Sequence, residues 1–349
     1  MSKNNNLHKA KSGKNDEFYT QLEDIERECS HYREHFKDKV VFCNCDDPFE
    51  SNFFKYFVLN FSFFGLKKLI CTCYEGSSLR TVDLLTGEET EIGVSKKAYK
   101  CIITNTEGIN SITLVDVKKL ITMTGNALEE MKTGDFRSDE CVQLLKESDV
   151  VVTNPPFSLF REYIAQLVEY DKKFLVIGNM NAITYKEIFP LIKDNKMWLG
   201  LSITSGDRKF NVPDNYPLNA AGCGIDATGK RYIRVKGVRW FTNLEHNKRH
   251  QPLDLYKKYS SEEFPKYDNY DAININKTAD IPYDYEGVMG VPITFLDKYC
   301  PEQFEIVDAR KYTDSEKLKN KTTYLVKDAD GSINGKATYA RILIRHLTH

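Results

Sequence analysis

Asn154-Pro155-Pro156-Phe157 is the stretch of this chain whose residue types combine into a defined chemistry. An exocyclic amine on an aromatic ring is a poor nucleophile, because its lone pair is delocalised into the ring. Two acceptors that hold its two hydrogens draw the nitrogen toward tetrahedral geometry and localise that pair. The Asn154 side-chain oxygen is one acceptor, and the Pro155 carbonyl, on a backbone stiffened by Pro156, is the other. Phe157 offers a face on which a planar base can stack. No strong general base is needed, since positioning supplies most of the effect and the amine loses its proton after transfer. Such a set suits the transfer of a group such as methyl to an amino nitrogen. Read only as structure, the same four residues are a proline-bounded loop with a core phenylalanine.

The elements around the tetrapeptide suit a binding site. Val150-Val151-Val152 predicts a short strand buried on both faces, stopped by two prolines that cannot donate ladder hydrogen bonds. Ser158 then caps a helix with apolar positions Phe160, Tyr163, Ile164, Leu167 and Val168. In open α/β sheets ligands bind at the carboxyl ends of strands, which is where the tetrapeptide falls. Upstream, Leu22, Ile25, Cys29, Tyr32 and Phe36 form a helical stripe. Residues 39–45 predict a buried strand ending in Asp46-Asp47-Pro48, Ser51 opens an apolar helix closed by Gly65, and residues 68–73 predict a second strand ending in Tyr74-Glu75-Gly76. Strand, helix, strand over this span is a βαβ unit and implies a parallel sheet.

Between residues 82 and 117 the pattern changes to short strands (84–88, 101–104, 112–115), an inserted β element. Ser138 begins another helix, and 174–177 predict another buried strand. From 197 the strand–helix alternation is lost. Residues 197–202 and 232–241 predict long strands, 292–296 and 304–307 shorter ones, and 323–327 with 339–344 a last hairpin around Asp330-Gly331. The pattern predicts an α/β protein, mostly parallel with helices on both faces, followed by a β-rich C-terminal part. Its three parts are a polar, lysine-rich arm (1–14), a core (15–196), and the remainder of the sheet with a further region (197–349).

The chain has 349 residues, 41% hydrophobic and 28% charged, with a net charge of −1, so no global excess points to a polyanion. The charge is instead blocked along the chain. Residues 229–258 carry nine Lys or Arg against Glu245 and Asp254, 261–308 carry eleven acids against three lysines, and 309–349 swing back to nine basic residues against four acids. Such blocks predict segregated faces, one of which can meet a polyanion. The nine cysteines lie mostly in apolar runs, several as C-x-C, and read as buried thiols rather than a zinc site; no metal is expected. With no signal peptide and no apolar run of membrane-spanning length, the expected location is cytoplasmic, without a membrane partner.

The tetrapeptide does not stand alone. Asn154-Pro155-Pro156-Phe157 is the signature of amino-group methyltransferases that use S-adenosylmethionine. Asp16-Glu17-Phe18-Tyr19-Thr20, Asn44-Cys45-Asp46-Asp47-Pro48 with Ser51-Asn52-Phe53-Phe54, and Gly134-Asp135-Phe136-Arg137 resemble the EcoRI-type adenine-specific DNA methyltransferases. So do the thirteen residues from Gly287 to Tyr299 and the ending Tyr339-Ala340-Arg341-Ile342-Leu343-Ile344-Arg345. The resemblance implies a Rossmann-like S-adenosylmethionine-dependent fold with a C-terminal target-recognition region. It implies methylation of adenine N6 in double-stranded DNA, with S-adenosylhomocysteine as product.

By the same resemblance, Phe18, Tyr19 and Thr20 close over the methionine end of the cofactor, Asp46 and Asp47 lie near its ammonium, and Glu75 accepts from the ribose. Asp135 and Phe136 recognise its adenine. Where most S-adenosylmethionine-dependent methyltransferases of this class carry a glycine-rich turn, this chain has Cys43-Asn44-Cys45-Asp46-Asp47, an irregularity that the EcoRI-type group shares. Phosphate contacts are expected from Lys9, Lys11 and Lys14 on the arm and from Arg231, Arg234, Lys236 and Arg239 on a basic strand, with the tail from Arg310 to Arg345 as a further candidate. The resemblance implies a modification enzyme of a restriction–modification system with a palindromic target such as GAATTC. The tetrapeptide also serves other amines, namely cytosine N4, an RNA base or a protein glutamine, and a catalytically silent DNA-binding module is the alternative outside enzymes. The oligomeric state is left open, with a monomer compatible.

Overall fold

The computed structural model describes residues 19–347 apart from 49, 74–77, 83–88, 95–97, 110–112, 213–217 and 219–221; of 78–82, 89–94 and 114–115 only the backbone is described. The described residues form two compact units, one drawn from 1–179 and 205–244, the other from 180–204 and 245 onward.

In the first unit β1 (Tyr19–Thr20) leads into α1 (Leu22–Cys29), a 3-10 turn and α2 (Arg33–Phe36). The predicted stripe holds at Ile25, Cys29, Tyr32 and Phe36, all fully buried, but Leu22 is 39% exposed. β2 (Val40–Cys43), α3 (Asn52–Leu59), α4 (Phe61–Phe64) and β3 (Lys68–Cys73) form the expected βαβ unit, with β2 and β3 parallel and Cys43 opposite Cys71. Ser51 caps α3 through its hydroxyl oxygen, which accepts from the Phe53 and Phe54 amides at 3.0 and 3.4 Å. Gly65 ends α4 in the left-handed region at φ 63°, where a side chain would be strained. Phe57 and Phe64 meet Phe36 edge-on at 5.3 and 5.2 Å between ring centres, which fastens the crossover helices to the N-terminal helix.

The expected insertion is only partly separate from the sheet. β4 (Ser78–Val82) and β5 (Glu89–Val94) pair with each other, but β6 (Ala98–Ile103) lies antiparallel on β3 and belongs to the main sheet. The strand expected at 84–88 lies outside the described residues. The one expected at 112–115 is instead the entry to α5 (Leu114–Thr122). There Thr113 and Asp116 close a capping box, a local hydrogen-bond pattern that overrides the β preference of an Ile-Thr-Leu-Val run. β7 (Ala127–Met131) pairs with β6, and α6 (Asp139–Glu147) starts at Ser138 as predicted.

β8 (Val150–Thr153) is buried throughout and lies parallel between β2 and β9 (Lys173–Asn179). The helix after it, α7 (Phe160–Glu169), starts later than expected: Ser158 sits inside a 3-10 turn (Phe157–Leu159) closed by the Leu159 amide on the Pro156 carbonyl at 3.0 Å. In the second unit come α8 (Phe189–Lys193) and β10 (Trp198–Leu199), the latter much shorter than the predicted 197–202.

Back in the first unit, β11 (Asp207–Asn211), β12 (Gly224–Ile225) and β13 (Arg231–Lys236) join β1 in a small antiparallel sheet ordered β1-β11-β13-β12. The long strand predicted over 232–241 is broken at Gly237, φ 71°, and β14 (Val238–Thr242) runs in the main sheet instead, antiparallel to β9. The main sheet of this unit therefore reads β14-β9-β8-β2-β3-β6-β7, with the four parallel strands in the middle.

The second unit is built on β15 (Ile273–Asn274), β16 (Met289–Pro292), β17 (Phe304–Ile306) and β20 (Arg341–His346), ordered β15-β16-β20-β17. The two C-terminal blocks of the resemblance are thus one antiparallel ribbon, Met289 opposite Ile344 and Pro292 opposite Arg341. Residues 292–296, expected as a strand, follow β16 as a 3-10 turn that begins after Pro292. The expected last hairpin reduces to a bridge between Val326 and Arg341. The tight turn sits at Asn334-Gly335, both at positive φ, between β18 (Ser332–Ile333) and β19 (Lys336–Ala337). All nine cysteines are free thiols, and among the described residues no helix is long and apolar enough to cross a membrane.

Candidate active site

Parallel pairing of β2 and β8 puts their carboxyl ends on the same edge of the sheet. From β2 the chain continues through Asn44 to Asp47, and from β8 through Asn154 to Phe157. The two turns are joined directly. Asp46, 5% exposed, accepts the Thr153 hydroxyl on Oδ2 and the Ser51 hydroxyl on Oδ1, each at 2.6 Å. Its backbone amide donates to the Thr72 carbonyl of β3 at 3.0 Å. Burial pushes the Asp46 carboxyl up to about 6, against the pull of the two hydroxyl hydrogen bonds and with some help from neighbouring Asp47.

The folded state therefore holds the Asp46 proton more tightly than the unfolded chain does. The stability linked to it, about 3 kcal/mol, is complete below about pH 4 and lost as pH rises through about 6. At neutral pH the fold carries a buried carboxylate at a cost.

The neighbouring side chains are tied in the same way. Asp47 is buried and accepts the Tyr99 hydroxyl of β6 at 2.6 Å. The Asn44 side-chain oxygen accepts the hydroxyl of Tyr163 from α7. Phe136 packs edge-on to Tyr163 at 5.1 Å, and its carbonyl accepts from Gln166 at 3.0 Å. Asp135 grips Arg137 through two hydrogen bonds, Nε to Oδ1 at 2.9 Å and Nη2 to Oδ2 at 2.6 Å, and Arg137 reaches Glu162 at 3.1 Å. The hydrogen bonds from Arg137 hold the Asp135 carboxyl below its usual range.

The small sheet closes the ring. Asn52, first residue of α3, donates to the Thr20 carbonyl at 2.7 Å, and Thr20 lies opposite Phe210 in the β1–β11 pair. Phe210 meets Phe157 edge-on at 6.3 Å, and Phe157 is 9% exposed. Pro155 is buried, Asn154 and Pro156 half-buried, and the Asn154 side-chain oxygen is itself out of solvent. The Thr20 hydroxyl is buried and has no hydrogen-bond partner among the described residues.

The structure thus brings Thr20, Asp46, Asp47, Phe136 and Asn154–Phe157 into one connected arrangement, with Tyr19 in β1 and Asp135 next to Phe136. Phe18, Glu75, Lys9, Lys11 and Lys14 lie outside the described residues.

The basic strand needs two corrections. Arg234 and Lys236 are on the exposed face of β13, but Arg231 shares the other face with buried Ile233 and Val235 and is half-buried. Arg239 is not on that strand at all. It lies in β14 and is 3% exposed, with one guanidinium nitrogen on the Val238 carbonyl at 2.9 Å, so it offers no surface charge to a phosphate. On the exposed face, Lys209 pairs with Asp226 at 2.8 Å and Arg234 with Asp207 at 3.4 Å, which tempers its positive charge.

Sequence reasoning missed Thr153, Tyr163, Tyr99 and Phe210. A hydroxyl just before the tetrapeptide was a visible signal for Thr153. The other three come from other elements and carried none.

A model of the family described as "Adenine-specific methyltransferase EcoRI" matches residues 6–347. The chain is 51% identical over 346 residues to the type II methyltransferase M.EcoRI of Escherichia coli, which covers 97% of this chain and 96% of that protein. It is 36% identical to the type II methyltransferase M.MpnI of Mycoplasma pneumoniae, over 97% of both chains. It is 35% identical to the type II methyltransferase M.MgeORF184P of Mycoplasma genitalium, over 97% of this chain and 98% of that one. No solved structure matches. Agreement of this extent, running through both units, shows that the chain belongs to the EcoRI family of adenine-specific methyltransferases.

Proposed function

We propose that this chain moves a methyl group from S-adenosylmethionine to N6 of an adenine flipped out of duplex DNA, at one palindromic site, as the modification partner of a type II restriction system. The observation that carries the reading is the Asn154–Phe157 turn at the end of β8, tied by Thr153 to the acidic turn after β2, in a chain of this family. When bound, the cofactor supplies an electrophilic methyl group on sulfur. The residues on this edge fit its polar end. Two buried carboxylates, Asp46 and Asp47, follow β2, and the Thr20 hydroxyl is buried with no hydrogen-bond partner among the described residues. The four parallel strands with their acidic turn also support a Rossmann-like methyltransferase core, with the second unit taking part in target recognition.

The residues then divide the work. Asn154 Oδ1 and the Pro155 carbonyl accept the two amino hydrogens and draw the nitrogen toward tetrahedral geometry, which takes its lone pair out of conjugation with the ring. Phe157, braced edge-on by Phe210, forms the aromatic wall for the base. With the pair localised, the nitrogen attacks without prior deprotonation, and the extra proton leaves to water afterwards. Family membership favours adenine over cytosine N4, RNA bases or glutamine, and the intact acceptor pair favours an active enzyme over a silent module.

Phosphates are held by the exposed face of β13. Lys236→Ala is expected to weaken binding to all duplex sequences alike and to lower the slope of log affinity against log salt by about 1, read by titration at several salt concentrations. GAATTC, the palindrome that the family resemblance implies, is the first target to test. Methylation-sensitive sequencing of DNA from cells expressing the chain is expected to show methylated adenine at every copy of one palindrome. Methylated adenine scattered without a motif, or none above background, would overturn the reading.

A further inference from the structure

We infer that Asp46 is a positioning residue for the catalytic turn: by accepting the hydroxyls of Ser51 and Thr153 on opposite oxygens, it fixes the end of β8 and with it the Asn154 amide and the Pro155 carbonyl. The inference rests on the reading that these two acceptors hold the target amine. It gives Asp46 a task beyond any contact with the cofactor.

The geometry explains why a carboxylate is required. The Ser51 oxygen already accepts the Phe53 and Phe54 amides, so its proton points to Asp46 Oδ1. The Thr153 proton points to Oδ2. Both partners donate, so the group between them must present an acceptor on each side; an ionised carboxylate does so with two equivalent oxygens, whereas a side-chain amide has only one oxygen. Thr153 is the last residue of β8 and is bonded to Asn154, so no flexible segment separates the clamp from the acceptor. On its other side the clamp reaches the cap of α3, and through the Asp46 amide the carbonyl of Thr72 in β3. The clamp is therefore tied to three elements, β8, α3 and β3.

The surroundings make this carboxylate responsive to pH in a range where the enzyme can be assayed. Asp47 is beside it on the same turn, with the thiols of Cys43, Cys45 and Cys71 from the β2 segment and β3, and the Tyr163 hydroxyl from α7. Below about pH 6 the carboxyl takes up a proton, the oxygen that carries it loses its charge and becomes the weaker acceptor, and the hydrogen bond of one hydroxyl is weakened. The rate of methyl transfer should accordingly rise with pH through about 6.

The test uses the full-length protein in single-turnover methylation of duplex DNA, with calorimetric titration of S-adenosylhomocysteine as a separate readout of cofactor affinity. Thr153→Val keeps the shape of the side chain but removes the hydroxyl. It is expected to lower the transfer rate about ten- to a hundredfold, the scale of a catalytic group displaced by about an ångström, with S-adenosylhomocysteine affinity within about threefold of the parent. Thr153→Ser, which restores the hydroxyl, is expected to recover most of the rate; it also serves as the readout if the valine variant melts early. In Asp46→Asn the acid limb near pH 6 is expected to disappear from the rate profile.

A Thr153→Val enzyme as fast as the parent, or one whose whole defect is in cofactor affinity, would overturn the inference. Asn154→Ala, run alongside, separates the two levels. If it too transfers at the parent's rate, the reading of the site fails. If it is inactive while Thr153→Val is not, only the role of Asp46 fails.

Discussion

Replacing Asn154 with alanine is expected to lower methyl transfer by about a hundred- to a thousandfold, the scale seen when one preorganised hydrogen-bonding group is removed from a reacting centre. Binding of duplex DNA and of S-adenosylhomocysteine should change little. The reason lies in what the amide does. Its oxygen takes one of two hydrogens from a nitrogen whose lone pair is otherwise spread over the ring, and no other side chain in the turn offers an acceptor: Pro155 and Pro156 have none, and Phe157 has only its ring. An alanine leaves the Pro155 carbonyl as a single acceptor, which can hold the base but cannot turn the nitrogen. Single-turnover rates with saturating cofactor and DNA measure the loss directly. A variant within tenfold of the parent would mean that the amide is not an acceptor in the reaction.

The second large effect is expected from Gly178, away from the reacting atoms. Gly178 lies in β9 opposite Arg239 of β14. A methyl group there would stand 2.6 Å from Cε2 of Phe160 and 2.9 Å from Cε2 of Phe241. Those two rings pack at 5.1 Å between centres and are both buried, Phe241 in β14 and Phe160 at the start of α7, so making room for the methyl group displaces packed neighbours. Gly178→Ala should cost about 1–3 kcal/mol in stability through overpacking. Phe160 follows the catalytic turn after only two residues, so relief of the clash pushes on Phe157. The transfer rate should fall as well, by about tenfold or more. Thermal unfolding together with the single-turnover rate checks both halves. An unchanged melting temperature would show that the sheet makes room for the methyl group and that the glycine is not a packing requirement.

The legible parts of the fold are those written in local chemistry. Ser51 and Gly65 bracket the crossover helices, and the buried runs before Asp46 and before Asn154 are strands because their residues are apolar on both faces. The misread parts are those where two local signals compete or where a tertiary choice decides. Thr113 and Asp116 form a cap that overrides a β-prone run, so residues near 114 are helical. Gly237 splits one expected strand into two that enter different sheets. That split takes Arg239 out of solvent and leaves Lys236 in it.

The candidate site divides in the same way. The tetrapeptide announces itself, because its four residue types together have a chemical use that few other sequences share. The contacts that shape it do not, because they join residues far apart in the chain. Thr153 reaches Asp46 across 107 positions and Tyr163 reaches Asn44 across 119. Phe210 arrives at Phe157 only because β11 pairs with β1. The turn after β2, with cysteines and acids and no glycine, gains a physical account from the same contacts. Its side chains are partners in a buried hydrogen-bond network, and a glycine at Asp46 or Asn44 would leave the hydroxyls of Ser51, Thr153 and Tyr163 without acceptors.

The central claim is methylation of adenine at N6, and the chemical identity of the product tests it most directly. Duplex DNA carrying GAATTC and all other six-base palindromes is incubated with the purified protein and S-adenosylmethionine, digested to nucleosides and analysed by mass spectrometry. The account predicts N6-methyldeoxyadenosine in the parent reaction and at least about a hundredfold less of it with Asn154→Ala over the same initial interval. Methyl groups on cytosine N4, or DNA left unmodified by an intact and folded enzyme, would contradict it.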